Sequence, residues 1–107
     1  MDIETIRNRV RAGNYSIKSH AIQHALKEGF DRAHIVEAIL NGTVIEEYPV
    51  AQRVLVNGHA KILKDVSVHL HVVCECADPV YVEIVTAYIP DETEWARPDF
   101  TRRKRKR

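Results

Sequence analysis

The hydrophobic period of this chain changes once, near residue 42, and that change constrains the fold more than any other feature. Before it, apolar residues recur every three or four positions; after it, they alternate or run together. The first pattern belongs to amphipathic helices and the second to strands. Ile3, Ile6 and Val10 predict a short helix ending near Gly13. Asn14 to Lys18 reads as a connector or brief extended segment. Ser19 is a suitable N-cap for a second helix, His20 to Glu28, closed by Gly29. Its apolar stripe is Ala21, Ile22, Ala25 and Leu26. Asp31 caps a third helix with Ile35, Ala38 and Ile39 on one face, and Gly42 stops it.

The second half predicts strands. Thr43 to Tyr48 is rich in β-formers and ends at Pro49. Gln52 to Val56 precedes Asn57-Gly58, a pair that predicts a tight hairpin with Lys61 to Leu63 returning. From Val66 to Cys76, Val66, Val68, Leu70 and Val72 share one face, and Ser67, His69 and His71 share the other. After a turn at Asp78-Pro79, Val80 to Tyr88 is nearly continuous in β-formers, which predicts a central strand buried on both sides. The final segment, with Trp95, Pro98 and Phe100, is expected to cover a sheet edge or face. Helices followed by an antiparallel meander imply an α+β fold, with two or three N-terminal helices on one face of the sheet. The other face is then left to water or to a cleft. A chain of 107 residues has room for one modest core, so residues 1–101 are read as a single domain.

Charge is unevenly placed. The net charge is +1, yet the run from Arg102 to Arg107 is entirely cationic, so the rest is acidic on balance. Residues 102–107 are therefore expected to be a solvated, disordered tail able to grip polyanions. Met1-Asp2-Ile3-Glu4 lacks a basic region followed by an apolar run, and no apolar stretch approaches the roughly 20 residues that span a bilayer. Cys74 and Cys76 lie two apart on one strand, where they point the same way and are poorly placed to form a disulfide together. These features predict a cytoplasmic protein with reduced cysteines and no membrane partner.

Histidine carries most of the available chemistry, because its unperturbed pKa lies nearest neutrality. His20 and His24 are four apart and share a helix face. That spacing can hold a metal with a third ligand from His69, His71 or Glu83, but it lacks the Glu beside the first His of the zincin motif. Metal-free acid–base work and a plain polar helix face are the other readings. Tyr81 and Glu83 share one face of the last strand and Thr86 and Tyr88 the other, and the pairing register decides which set meets His69 and His71. Arg53 supplies a positive charge suited to a phosphate, or is a surface residue of an edge strand. His34 reads as a neutral capping residue, and His59 as a solvated hairpin tip. The chain has no Gly-rich phosphate loop, no Gly-x-Ser-x-Gly elbow and no paired Cys-x-x-Cys.

The order of its short motifs resembles a family of small bacterial proteins of formally unknown function. The motifs are Ser19, His20 and Ala21 at a helix start; Gly29; Asn41-Gly42; Glu47-Tyr48-Pro49; Leu70-His71-Val72-Val73; and Thr86-Ala87-Tyr88-Ile89-Pro90-Asp91 with Trp95 before the basic residues. The family is similar, distantly, to RelE/barnase-type ribonuclease toxins and is often encoded beside a zinc-finger antitoxin. The resemblance implies a RelE/barnase-like fold and metal-independent RNA cleavage without a cofactor. It also implies RNA and a zinc-finger antitoxin as partners. It points to His20, His71, Thr86 and Tyr88 as the cleft. The chain departs from the pattern where the family has helix arginines, placing His24 and Glu28 there.

The expected reaction is cleavage at the ribose 2′-hydroxyl, with His20 and His71 as acid and base. Arg53 would stabilise charge on the phosphorane, and Tyr88 or Thr86 would donate a hydrogen bond. His24, Arg102 and Arg103 join Arg53 as phosphate contacts. The rival readings are a non-catalytic RNA- or protein-binding module with a degenerate site, and a metal-dependent hydrolase using His20, His24 and a strand histidine.

Overall fold

A computed structural model describes residues 1–104. Helices α1 (Ile3–Arg11), α2 (Ser19–Glu28) and α3 (Arg32–Asn41) accompany strands β1 (Tyr15–Ile17), β2 (Thr43–Tyr48), β3 (Arg53–Leu63), β4 (Val66–Glu75) and β5 (Val82–Tyr88). The sheet order is β1-β5-β4-β3-β2. Strands β2 to β5 form the expected antiparallel meander. The segment read as a connector is β1, which pairs parallel to β5, with Tyr15 opposite Val82. The sheet is therefore mixed, and the fold is α+β with N-terminal helices. No described helix is long and apolar enough to cross a membrane.

Local chemistry explains the helix ends. The Asp2 carboxylate accepts the Thr5 amide at 2.8 Å and starts α1. Asp31 accepts the amides of Ala33 and His34, while His34 Nδ1 accepts the Asp31 amide at 2.9 Å, a reciprocal cap of α3. The predicted Ser19 cap is not used. Lys18 occupies that place because its amide is already bonded to the Ile84 carbonyl at 3.0 Å, continuing the β1–β5 pairing into the helix start. Gly29 ends α2 at φ 90°, where a side chain would be strained.

One face of the sheet holds the apolar core. Ile6, Phe30, Ile35, Ala38 and Ile39 from the helical half pack on Val54, Val56, Leu70, Val72 and Ile84. Leu70 and Val72 lie on the apolar side of β4, as its alternation predicts. Cys74 is buried in this core as a free thiol, its pKa raised by burial, and Cys76 is also unbridged.

The Asn57-Gly58 reading is corrected by the register. β3 runs straight through both residues, and the turn to β4 falls at Lys64-Asp65, with Asp65 at φ 65°. Gly58 is required by packing instead: a Cβ there would stand 1.9 Å from the Ala38 carbonyl oxygen of α3. Past Asn57, β3 has no strand on its outer side, and α3 fills the gap. Asn41 donates to the His59 carbonyl and accepts the His59 amide, both at 2.8 Å, and Glu37 accepts the Lys61 amide at 3.0 Å. Side chains thus satisfy an edge that would otherwise invite another strand.

The opposite face, which carries no helices, is neither bare nor an open cleft. The segment from Pro90 to Arg103 lies across it, bringing Trp95 onto His71 and Phe100 onto His69. The last strand is also not central: β5 lies second from the edge, and β1 flanks it only as far as Ile84. Beyond that, the amide of Ile89 donates to the Glu28 carboxylate at 3.3 Å. Helix α2 therefore runs beside the free edge of β5 between Ile84 and Ile89.

Candidate functional site

A β-bulge decides what meets the histidines. The pairing of β4 with β5 slips between Val73 and Cys74, so that Val73 faces Thr86 while Cys74 faces Ile84. Val85 is the extra residue, and it reverses the facing of everything after it. Glu83, Thr86 and Tyr88 all come to the helix-free face, opposite Glu75, Val73 and His71. The two sets that the sequence placed on opposite faces share one.

His71 is the centre of that face and is fully buried. Trp95 packs edge-on against it, with ring centroids 4.4 Å apart, and Tyr88 lies at 5.3 Å. Its Nε2 is 2.9 Å from the Phe100 carbonyl oxygen and its Nδ1 is 3.3 Å from the Tyr88 hydroxyl. A carbonyl only accepts, so Nε2 carries the proton and Nδ1 accepts from Tyr88. Burial pushes the imidazole down to about 4, so the ring is neutral at neutral pH. Burial likewise pushes the Tyr88 phenol up to about 12, so its hydroxyl keeps a proton to donate.

Around this pair lies a charged rim. Arg103 donates to both oxygens of Glu46, at 2.9 and 3.1 Å, and its guanidinium sits 4.6 Å over the Trp95 ring. Tyr48 donates to the same carboxylate. The Arg103 guanidinium holds the Glu46 carboxyl below its usual range. Glu46 and Tyr48 come from β2, His71 from β4, Tyr88 from β5 and Arg103 from the terminal segment. Arg103 is thus built into the domain, bridged to Trp95 across a short β-contact. Arg102 is exposed beside it, and residues 105–107 of the basic run lie outside the described residues.

The other sequence candidates are dispersed. His20 is exposed on α2. His24 lies one turn further along, 2.9 Å from Glu28, the residue that also takes the Ile89 amide. These helix residues flank the edge of β5, while His71 lies beneath Trp95. The expected acid–base pair therefore does not line one open pocket, because the second imidazole has no face free for a phosphodiester. Arg53 pairs with Glu75 at 3.3 Å. It is four residues along β3 from Asn57, the partner of His71. That is about 13 Å at ~3.3 Å per residue, too far to share one phosphate with His71. Among the described residues no group of three or more His, Cys, Asp or Glu is placed to hold a metal.

The structure instead brings together two histidines that were not paired from the sequence. His59 and His69 are direct cross-strand partners on the helix-free face, with ring centroids 4.3 Å apart. His59 is exposed, and Phe100 stands edge-on to His69 at 5.2 Å. Reading Asn57-Gly58 as a turn hid this pair. The alternation of Asn57, His59 and Lys61 with Gly58, Ala60 and Ile62 is the signal that would have found it.

The comparisons fit this domain plan. Residues 17–89, more than half of the chain, match the family described as Domain of unknown function (DUF4258). The chain belongs to that family. The matched region runs from the end of β1 to the residue after β5, so it contains His59, His69, His71 and Tyr88 but excludes Trp95, Phe100 and Arg103. No curated protein and no solved structure matches the chain.

Proposed function

We propose that this chain acts on RNA in the cytoplasm, as a toxin-like, metal-independent endoribonuclease with a zinc-finger antitoxin as its partner. The observation that carries the reading is the anchoring of Arg103. A run of six cations begins at Arg102, and its second member is fastened by Glu46 and Trp95 to the helix-free face. Arg102 and Lys104 beside it are exposed, and such cations attract a polyanion and release its counterions on binding. The same face holds Tyr88, whose hydroxyl donates its one proton to His71. Buried, neutral His71 acts as a positioning residue, fixing that hydroxyl through Nδ1 and the terminal segment through Nε2.

In such a reaction a base takes the proton of the ribose 2′-hydroxyl, and that oxygen attacks phosphorus. The bond to the 5′-oxygen breaks, and an acid protonates the leaving oxygen. The products are a 2′,3′-cyclic phosphate and a 5′-hydroxyl. His20 is exposed beside β5, whereas His71 is buried. The test is incubation of single-stranded RNA with purified protein in a chelator. Cyclic-phosphate fragments are expected, and His20→Ala should lower their rate about 100-fold. Intact RNA under all conditions contradicts cleavage.

A second reading, RNA binding without cleavage, is favoured by the burial of His71 and the engagement of His24 with Glu28. It predicts salt-sensitive binding in the same samples with no fragments.

A further inference from the structure

We infer that His59, His69 and Phe100 form a docking platform for single-stranded RNA, its bases stacking on these rings and its phosphates meeting Lys61 and Arg102. The inference rests on the RNA reading above and assigns it a surface. Three rings stand in a row: His59 against His69 at 4.3 Å, and His69 against Phe100 at 5.2 Å. His59 is exposed and His69 and Phe100 are half-buried beside it, and rings presented on a sheet beside cations suit unstacked bases because every base has a π-face. Lys61 lies two residues beyond His59 on the same face, opposite Ser67, and both are exposed. Arg102 follows Phe100 by two residues and is exposed. The occupant is single-stranded because a paired duplex keeps its base faces stacked internally.

The pair is also under an unrelieved constraint that an anion would relax. His69 Nδ1 is buried without a hydrogen-bond partner. The ring's pKa is lowered, first by burial and then by the neighbouring His59, with Asp99 opposing weakly. The charged and titratable groups around it are His59 and Lys61 of β3, His71 of β4, and Asp99 and Arg102 of the terminal segment. Glu37 of α3 is committed to the Lys61 amide. Burial and His59 disfavour the charged form of His69, and a phosphate beside the ring favours it. Bound RNA therefore raises the proton affinity of His69, so RNA affinity rises as pH falls.

The experiment is fluorescence anisotropy with a labelled twelve-nucleotide oligouridine, using the full chain at fixed salt from pH 8 to pH 5.5. Wild type should bind about tenfold more tightly at pH 5.5, the change that a one-unit rise in one histidine pKa on binding gives. His59→Phe keeps a ring and removes the neighbouring imidazole that lowers the His69 pKa, so it should match wild type at pH 8 and show an altered pH slope. His59→Ala should bind about tenfold more weakly at both ends, the loss expected for one stacked ring. Because His59 is exposed, neither variant threatens the fold. Lys27→Ala, which removes an exposed cation of α2, should keep the pH slope. Equal binding and equal slopes in wild type and both His59 variants would overturn the platform while leaving RNA binding standing. Tighter binding to duplex than to single strand would also overturn it. No binding by wild type would overturn both readings.

Discussion

The two faces of the sheet are covered by opposite means. The helix side is closed by interlocking hydrocarbon, with Ile6, Ile35, Ala38 and Ile39 fully buried against β3, β4 and β5. The other side is closed by one irregular segment, Pro90 to Arg103, held by rings, an ion pair and two bonds from sheet side chains to its carbonyls, from His71 and Asn57. The first face tolerates no change of shape, because dispersion falls steeply with any gap or overlap. The second is built from groups that titrate or exchange with water, so pH, salt and anions can act on it. Function, on this account, belongs to the second face because its interactions have alternatives in solvent.

The sharpest way to break this contrast is to strike each face in turn. Gly58→Val should be the most damaging change, because the new Cβ meets the Ala38 backbone at 1.9 Å and backbone cannot step aside. A loss of about 3 kcal/mol or more is expected, visible as a collapsed thermal melting temperature. Wild-type stability in Gly58→Val would mean that α3 does not sit on β3 as described.

Mild acid should act first on the other face. His71 has a folded-state pKa of about 4 against about 6.5 unfolded, so the unfolded chain binds the extra proton between those values. Stability contributed by the neutral ring is complete above pH 6.5 and is lost as pH falls toward 4. The window is worth on the order of 3 kcal/mol. Urea melts at pH 7 and pH 4.5 should differ accordingly, and His71→Phe should flatten the difference. An unchanged slope in that variant would assign the acid sensitivity elsewhere.

Smaller effects grade the rim. Arg103→Ala removes a bidentate pair and a cation–π contact, yet the arginine side chain is 54 % exposed, so solvent screens much of the gain. About 1 kcal/mol is expected, shrinking with added salt. Arg53→Ala breaks a half-exposed pair far from His71 and should cost less than ~0.5 kcal/mol, with RNA binding unchanged. A large loss of RNA binding in Arg53→Ala would move the site to the far end of β3.

Much of the architecture was legible in the chain. The helix periods, the Asp31 and Gly29 signals and the alternation of β4 all fall where they were read, since each depends on local spacing. The errors share one cause: a local signal overruled by a tertiary contact. Asn57-Gly58 carries hairpin chemistry, but α3 needs the space at Gly58, and β3 continues. Ser19 is a good cap, but the Lys18 amide was claimed by β5. The reversal of Thr86 and Tyr88 comes from a one-residue bulge at Val85, which no pattern in β5 announces. The site was legible only in part: His71 and Tyr88 do meet, as the register allows, but Trp95 and Phe100 come from a segment whose destination no periodicity encodes. Arg103, counted as tail, is held by Glu46, some 57 positions away in sequence.

The most direct measurement is an amide chemical-shift map of the ¹⁵N-labelled protein during titration with a short oligouridine. The account predicts that the perturbed amides cluster on the helix-free face, at His59, Lys61, Ser67, His69, Phe100 and Arg102, with α1 and α3 silent. Perturbations centred on α1 and α3, or an unchanged spectrum at saturating RNA, would contradict it.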